Sequence, residues 1–134
     1  MLNIISSSRY KIDRASIHEQ VEKIFSNYPI TPQSVLNIVF VGKKKMNQYS
    51  RKYKGEDVAL PVLSFSYLNQ KETDSVKAGS EKTESVNVAE EEKVIGEVII
   101  CYPQAVLLAA ERDKKVDYII TSLVKHGIEN VLKS

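Results

Sequence analysis

The stretch VDYIITSLVKHGIENVL, Val116–Leu132, decides the fold. Its apolar residues stand at Val116, Ile119, Ile120, Leu123, Val124, Ile128, Val131 and Leu132. That is the i, i+3, i+4, i+7 repeat of a helix with one buried face. At 100° per residue Gly127 falls near the middle of this face, where a missing side chain lets the helix sit close to whatever it covers. His126 and Asn130 occupy the shoulder of the face, one turn apart. The pattern leaves two roles open for His126: a metal ligand, or a partly buried histidine satisfied by its neighbours.

Working outward, the chain alternates strands and helices. Leu2–Ser6 reads as a short first strand. Ser16-Ile17-His18-Glu19 has the spacing of a capping box, and Ile17, Val21, Ile24, Phe25 and Tyr28 mark the inner face of the helix it opens. His18 lies off that face, and Pro29 and Pro32 stop the helix. Ser34–Val41 is β-branched and nearly all apolar, as expected of a central strand covered on both faces. Lys43–Lys54 reads as a second helix with Met46, Tyr49 and Tyr53 turned inwards. Val62–Tyr67 alternates like a half-buried or edge strand, and Val94–Tyr102 is a further strand in which Gly96 marks a bulge or a close backbone approach. Pro103 suits the first turn of a helix over 104–113, with Val106, Leu107 and Ala110 apolar. The order β-α-β-α-β-β-α-α predicts a single α+β domain over 1–134, a sandwich of a four-stranded mixed sheet and about four helices.

Composition narrows the function. At 134 residues, 43% hydrophobic and 27% charged, the chain matches an ordinary globular domain. No apolar run approaches the roughly 20 residues that span a bilayer, and no signal-peptide pattern opens the chain. The single cysteine, Cys101, excludes an internal disulfide and a cysteine-rich metal cluster. These features predict a cytoplasmic protein. The net charge of +2 is uneven. Gln70–Lys93 carries four lysines against seven acids, net −3, which leaves +5 on the rest. This polar stretch, 68–93, is expected to be a mobile loop. The helix over Lys43–Lys54 holds Lys43, Lys44, Lys45, Arg51, Lys52 and Lys54 with no acid among them. Six cations interleaved with two tyrosines are either a solvated helix face or a surface for phosphates and bases.

The chain has no P-loop, dinucleotide fingerprint, His-Glu-x-x-His or Gly-x-Ser-x-Gly. Three clusters remain: Tyr53-Lys54-Gly55-Glu56-Asp57 followed by Val62-Leu63-Ser64-Phe65; Ile95-Gly96-Glu97-Val98; and Lys125-His126-Gly127. In this order, on these elements, they resemble the YbeY family of bacterial rRNA maturation endoribonucleases. Members show Tyr-Arg-Gly-Lys-Asp-x-Pro-Thr-Asp-Val-Leu-Ser-Phe, then Gly-Asp-Ile-x-Ile, then His-Gly-x-Leu-His-Leu-x-Gly-Tyr-Asp-His. The resemblance implies an α+β fold, a zinc held by three histidines, and an arginine acting on RNA in a basic cleft.

Here Lys54 stands in the arginine position, which keeps the charge and loses the bidentate fork. Ala59-Leu60-Pro61 replaces Pro-Thr-Asp, and Glu97 replaces the aspartate. His126 matches the first metal ligand, Asn130 occupies the second, and the third would fall at 136, beyond Ser134. One imidazole and an amide do not make a catalytic zinc site, which takes three protein ligands. Glu97 offers at best a second ligand, and Glu129 points away from the apolar face. His126 is therefore expected to be the partly buried, satisfied histidine. A metal-free scheme gives His126 the role of general base and Lys54 that of steadying the phosphate.

Two functions follow from the resemblance. The first is an rRNA-maturation factor with weak or lost metal-dependent catalysis, holding RNA on the basic helix. The second is a non-enzymatic domain that binds RNA or a protein of the small ribosomal subunit.

Overall fold

A computed structural model describes residues 2–28, 33–68 and 93–133. The elements are β1 (Leu2–Ile5), α1 (Arg14–Phe25), β2 (Ser34–Val41), α2 (Lys43–Lys54), β3 (Val62–Ser66), β4 (Lys93–Cys101), α3 (Tyr102–Arg112) and α4 (Val116–Lys133). The α+β order expected from the sequence is the observed one. The polar stretch at 68–93 falls, from 69 to 92, outside the described residues, as do Pro29 and Pro32.

The strands form one sheet in the order β1-β2-β4-β3. β1, β2 and β4 run parallel, and β3 pairs antiparallel with β4 as the edge strand. Between Val35↔Val94 and Leu36↔Gly96 the register slips by one residue, so Ile95 is the extra residue of a bulge. Side-chain alternation divides the strands cleanly. Leu36, Ile38, Phe40, Val98 and Ile100 face α1, α3 and α4. Val41, Leu63, Ile99 and Cys101 face the other way, around Met46 of α2.

α4 sits where its apolar pattern puts it. Ile119, Ile120, Val124, Ile128 and Val131 are at most 2% exposed. At roughly 1.5–3 kcal/mol for each such side chain, their burial outweighs any single polar contact on the helix. Gly127 is the point of closest approach: a Cβ there would stand 2.5 Å from Val98 Cγ1. Gly96 meets the same helix one turn on, its missing Cβ 2.5 Å from Val131 Cγ1 and 2.8 Å from the Phe65 carbonyl oxygen. Ser66 Oγ donates to the Val131 carbonyl at 2.9 Å, fastening the edge strand to α4.

Some sequence expectations need correction. α1 is capped by Asp13, whose side chain accepts from the Ser16 N–H at 3.1 Å. Ser16 therefore lies inside the helix; an aspartate three residues upstream takes the N–H that ends the helix start. Tyr53 does not turn fully inwards but is 49% exposed, because Met46 and the buried Ser50 already fill the space beneath α2. The helix expected over 104–113 forms as α3, where Ala105 and Ala109 face the core and the apolar Val106, Leu107 and Ala110 face outward, a direction the sequence reading left unassigned.

Candidate functional site

α2 begins at Gly42, directly after β2, and ends at Gly55, which takes the left-handed conformation (φ 67°) that closes a helix. Met46 is fully buried against Val41, Leu63, Ile99 and Cys101, and this fixes the roll of the helix. All six cations are consequently exposed. The roll sorts them into two groups.

Lys45 and Lys52 lie on the tyrosine side. Lys45 Nζ is 5.9 Å from the Tyr49 ring centroid, and Lys52 Nζ is 5.2 Å from that of Tyr53. Tyr53 meets Phe65 of β3 edge-on, with centroids 4.9 Å apart, and tilts against Tyr49 at 6.3 Å. This aromatic group is held by the sheet yet reaches solvent through Tyr53. Lys54 follows at the last turn.

Lys43, Lys44 and Arg51 lie on the other side. With Asn47, Gln48 and Ala59 they line an open groove of ≈ 350 Å³. Arg51 is within 3.6 Å of Asp57, an exposed pair that adds little to stability.

His126 is exposed on α4, not partly buried. The helix is anchored by Gly127 and Ile128 on the sheet side, which turns position 126 past the apolar face. Its Nε2 lies 3.3 Å from Asn130 Nδ2. The contact sets an amide against a ring nitrogen, with donor and acceptor roles that follow the histidine tautomer.

The carboxylates proposed as additional ligands are placed elsewhere. Glu97 faces the α2 side of the sheet while Val98, beside it, packs under Gly127, so Glu97 and His126 stand on opposite faces. Strand alternation dictates this. Glu129 lines a groove of ≈ 580 Å³ between α4 and α1, with Lys23, Asn27, Tyr28 and Lys125 among its neighbours. Among the described residues no three His, Cys, Asp or Glu side chains gather into a metal-binding group. The donor set around His126, one imidazole and one amide, does not fit a catalytic zinc. Lys54 and His126 are likewise carried by helices on opposite faces of the sheet, so a scheme using both needs substrate that wraps the β3 edge.

One feature escaped the sequence reading. Asn3 Nδ2 donates to Asn37 Oδ1 at 3.1 Å, Asn37 Nδ2 donates to Glu97 Oε2 at 3.3 Å, and the Tyr67 hydroxyl donates to Glu97 Oε1 at 3.3 Å. This polar ladder links β1, β2 and β4 to the residue after β3. Its only sequence trace is a pair of asparagines in otherwise apolar strands. The Tyr67 hydroxyl is pushed above its ordinary value of 10.0, first by burial, then by the charge and hydrogen bond of Glu97, with a contribution from nearby Tyr53. The ladder therefore adjoins the aromatic group of α2.

Among the described residues no helix is long and apolar enough to cross a membrane. A family model described as endoribonuclease YbeY matches residues 3–130. An endoribonuclease YbeY from Dehalococcoides mccartyi is 29% identical over 133 residues, which is 98% of this chain and 75% of the relative. Another strain's protein is 32% identical over 101 residues, covering 75% of this chain and 61% of its own length. The Alkaliphilus metalliredigens endoribonuclease YbeY is 28% identical over 101 residues and is spanned to 57% of its length. The chain thus spans from over half to three-quarters of these relatives. A Thermotoga maritima protein solved in solution shares the fold, with a TM-score of 0.57 at 18% identity over 96% of this chain and 69% of that one. With the family model matching almost the whole length, this chain belongs to the YbeY family.

Proposed function

We propose that this protein is an RNA-directed member of its family, acting in rRNA maturation, that binds single-stranded RNA along α2 and has weak or lost metal-dependent cleavage. The observation that carries the reading is the tyrosine side of α2. A half-exposed ring, Tyr53, is braced by Phe65 and flanked by Lys52, with Lys45 beside Tyr49 about two turns back and Lys54 next in the chain. Lysines neutralise phosphates, and an exposed ring on a rigid support stacks on an unpaired base at about 1–3 kcal/mol. Lys43, Lys44 and Arg51 add to the positive potential that draws the strand in. Lys54 would meet a phosphate as a point charge.

Endoribonuclease activity in the named relatives makes RNA the natural ligand class. The surroundings of His126 support weak catalysis: an amide, Asn130, stands 3.3 Å from its Nε2, and among the described residues no three His, Cys, Asp or Glu side chains gather into a metal-binding group. The test joins two measurements on the parent and on His126→Ala, namely bound zinc by elemental analysis and cleavage of a labelled single-stranded RNA with and without added zinc. The reading expects substoichiometric metal in both and little cleavage, with RNA retention unaffected by His126→Ala and weakened by Tyr53→Ala. One zinc per chain that disappears in His126→Ala, together with His126-dependent cleavage, would overturn the catalytic half. Unchanged affinity in Tyr53→Ala would overturn the placement of the RNA.

A further inference from the structure

α3 leaves apolar residues on its outer side. Ala105 and Ala109 face the core with Leu108 partly buried beside them, yet Val106 is 39% exposed, Leu107 46%, and Ala110 is also exposed. Apolar side chains grouped on an exposed face suit contact with a partner. The surface continues onto the segment between α2 and β3. Gln104 of α3 donates its side-chain N–H to the Ala59 carbonyl, and Val58 beside it is 44% exposed. Ala59 also lines the groove with Lys43, Lys44 and Arg51. An outward apolar helix face thus runs into a basic groove in which Arg51 is paired with Asp57 while Lys43 and Lys44 remain for a partner. At the far end of α3, Glu111 and Arg112 offset one another. Among the described residues neither Lys43 nor Lys44 has an ion-pair partner.

We propose that this face docks an amphipathic helix of a partner protein, one that presents a leucine-type stripe to α3 and an acidic flank to Lys43, Lys44 and Arg51. Charge selects this occupant. A second copy of the chain, meeting two-fold through the same face, would bring two sets of like cations together. An RNA strand would satisfy the cations but leave Val106, Leu107 and Ala110 wet. A helix laid in a groove on apolar anchors, with complementary charge along one side, satisfies both halves. The surface is separate from the tyrosine side of α2, so RNA and protein would be held at once.

The experiment uses the full chain and a phage-displayed library of 16-residue helix-forming peptides, with leucines fixed at i, i+3 and i+7 and all other positions randomised. Selected peptides are expected to carry an acidic excess and to shift the amide resonances of α3 and of the first turn of α2. Leu107→Glu should weaken them at least about tenfold. Since Leu107 is exposed, this variant should keep the parent's circular dichroism and melting temperature. No enrichment over Leu107→Glu, or binders that are neutral or basic, would overturn the proposal. So would a concentration-dependent dimer abolished by Leu107→Glu, which would make the occupant a second copy. A loss of single-stranded RNA affinity in Leu107→Glu would overturn it equally, by making the face an RNA surface.

Discussion

Gly127→Ala should change sign according to what lies beneath it. In the native protein the new Cβ would stand 2.5 Å from Val98 Cγ1 and 3.1 Å from Cγ2, and Val98 is fully buried with nowhere to turn. Overpacking of this kind costs about 1–3 kcal/mol. Alanine regains about 0.5–1 kcal/mol over glycine inside a helix, so the net loss is about 1 kcal/mol. Val98→Ala alone opens a cavity and, with two buried methyl groups gone, should cost about 2 kcal/mol. In that background both Cγ atoms are absent, and the nearest remaining atom is the Cβ of residue 98, at the ordinary separation of 3.4 Å. The clash disappears while the helix gain remains, so Gly127→Ala becomes stabilising by about 0.5–1 kcal/mol. Urea denaturation of the parent, the two single variants and the double variant measures all four corners of the cycle. If Gly127→Ala had the same effect in both backgrounds, α4 would not be seated on Val98, and the position given to His126 would fall with it.

Two further outcomes follow from titratable groups. Tyr67, raised above 10.0 by burial and by Glu97, favours the neutral phenol in the folded state. Its contribution to stability is full below pH 10 and lost as pH rises through the folded value. An ultraviolet titration should show one of the seven tyrosines ionising above the rest, lowered in part by Glu97→Gln and removed by Tyr67→Phe; a single common transition would contradict the ladder. Cys101 is buried, and burial pushes its thiol up, opposed by a backbone hydrogen bond at Gln104 and by Lys43. An aromatic disulfide reagent should react slowly with the native protein and release one equivalent on unfolding; fast native reaction would mean the α2 side of the sheet is open.

The parts of this fold that read clearly from the sequence are those where burial imposes a period. α4 kept all of its apolar positions on the buried side, and α2 runs between the residues expected, because Gly42 and Gly55 bracket an uninterrupted cationic, Met46-centred pattern. β2 is central, as its β-branched run implied. What did not read clearly depends on partners distant in sequence. The outward turn of Val106 and Leu107 is hidden in the sequence because the five consecutive apolar residues 106–110 cover most of the helix circumference and give little to orient it. Nothing local in the sequence separates Glu97 from His126; the seating of Val98 beneath Gly127 does, by turning Glu97 to the other face of the sheet. The Asn3–Asn37–Glu97–Tyr67 ladder joins residues up to 60 positions apart and leaves no local pattern. For the site itself, the cations were legible as a group, but their division around α2 follows from the roll set by Met46, which only packing reveals.

If α2 holds single-stranded RNA through its lysines, affinity must fall with salt in proportion to the phosphates they neutralise. Fluorescence anisotropy with a single-stranded oligoribonucleotide would be measured from about 50 to 200 mM salt, a range over which phosphate contacts weaken markedly, for the parent and for Lys45→Gln/Lys52→Gln/Lys54→Gln. At about 0.7 per phosphate on a single strand, removing three contacts should flatten the log–log slope by about 2 and weaken binding throughout. An unchanged slope, or no binding by the parent at the lowest salt, would contradict the account.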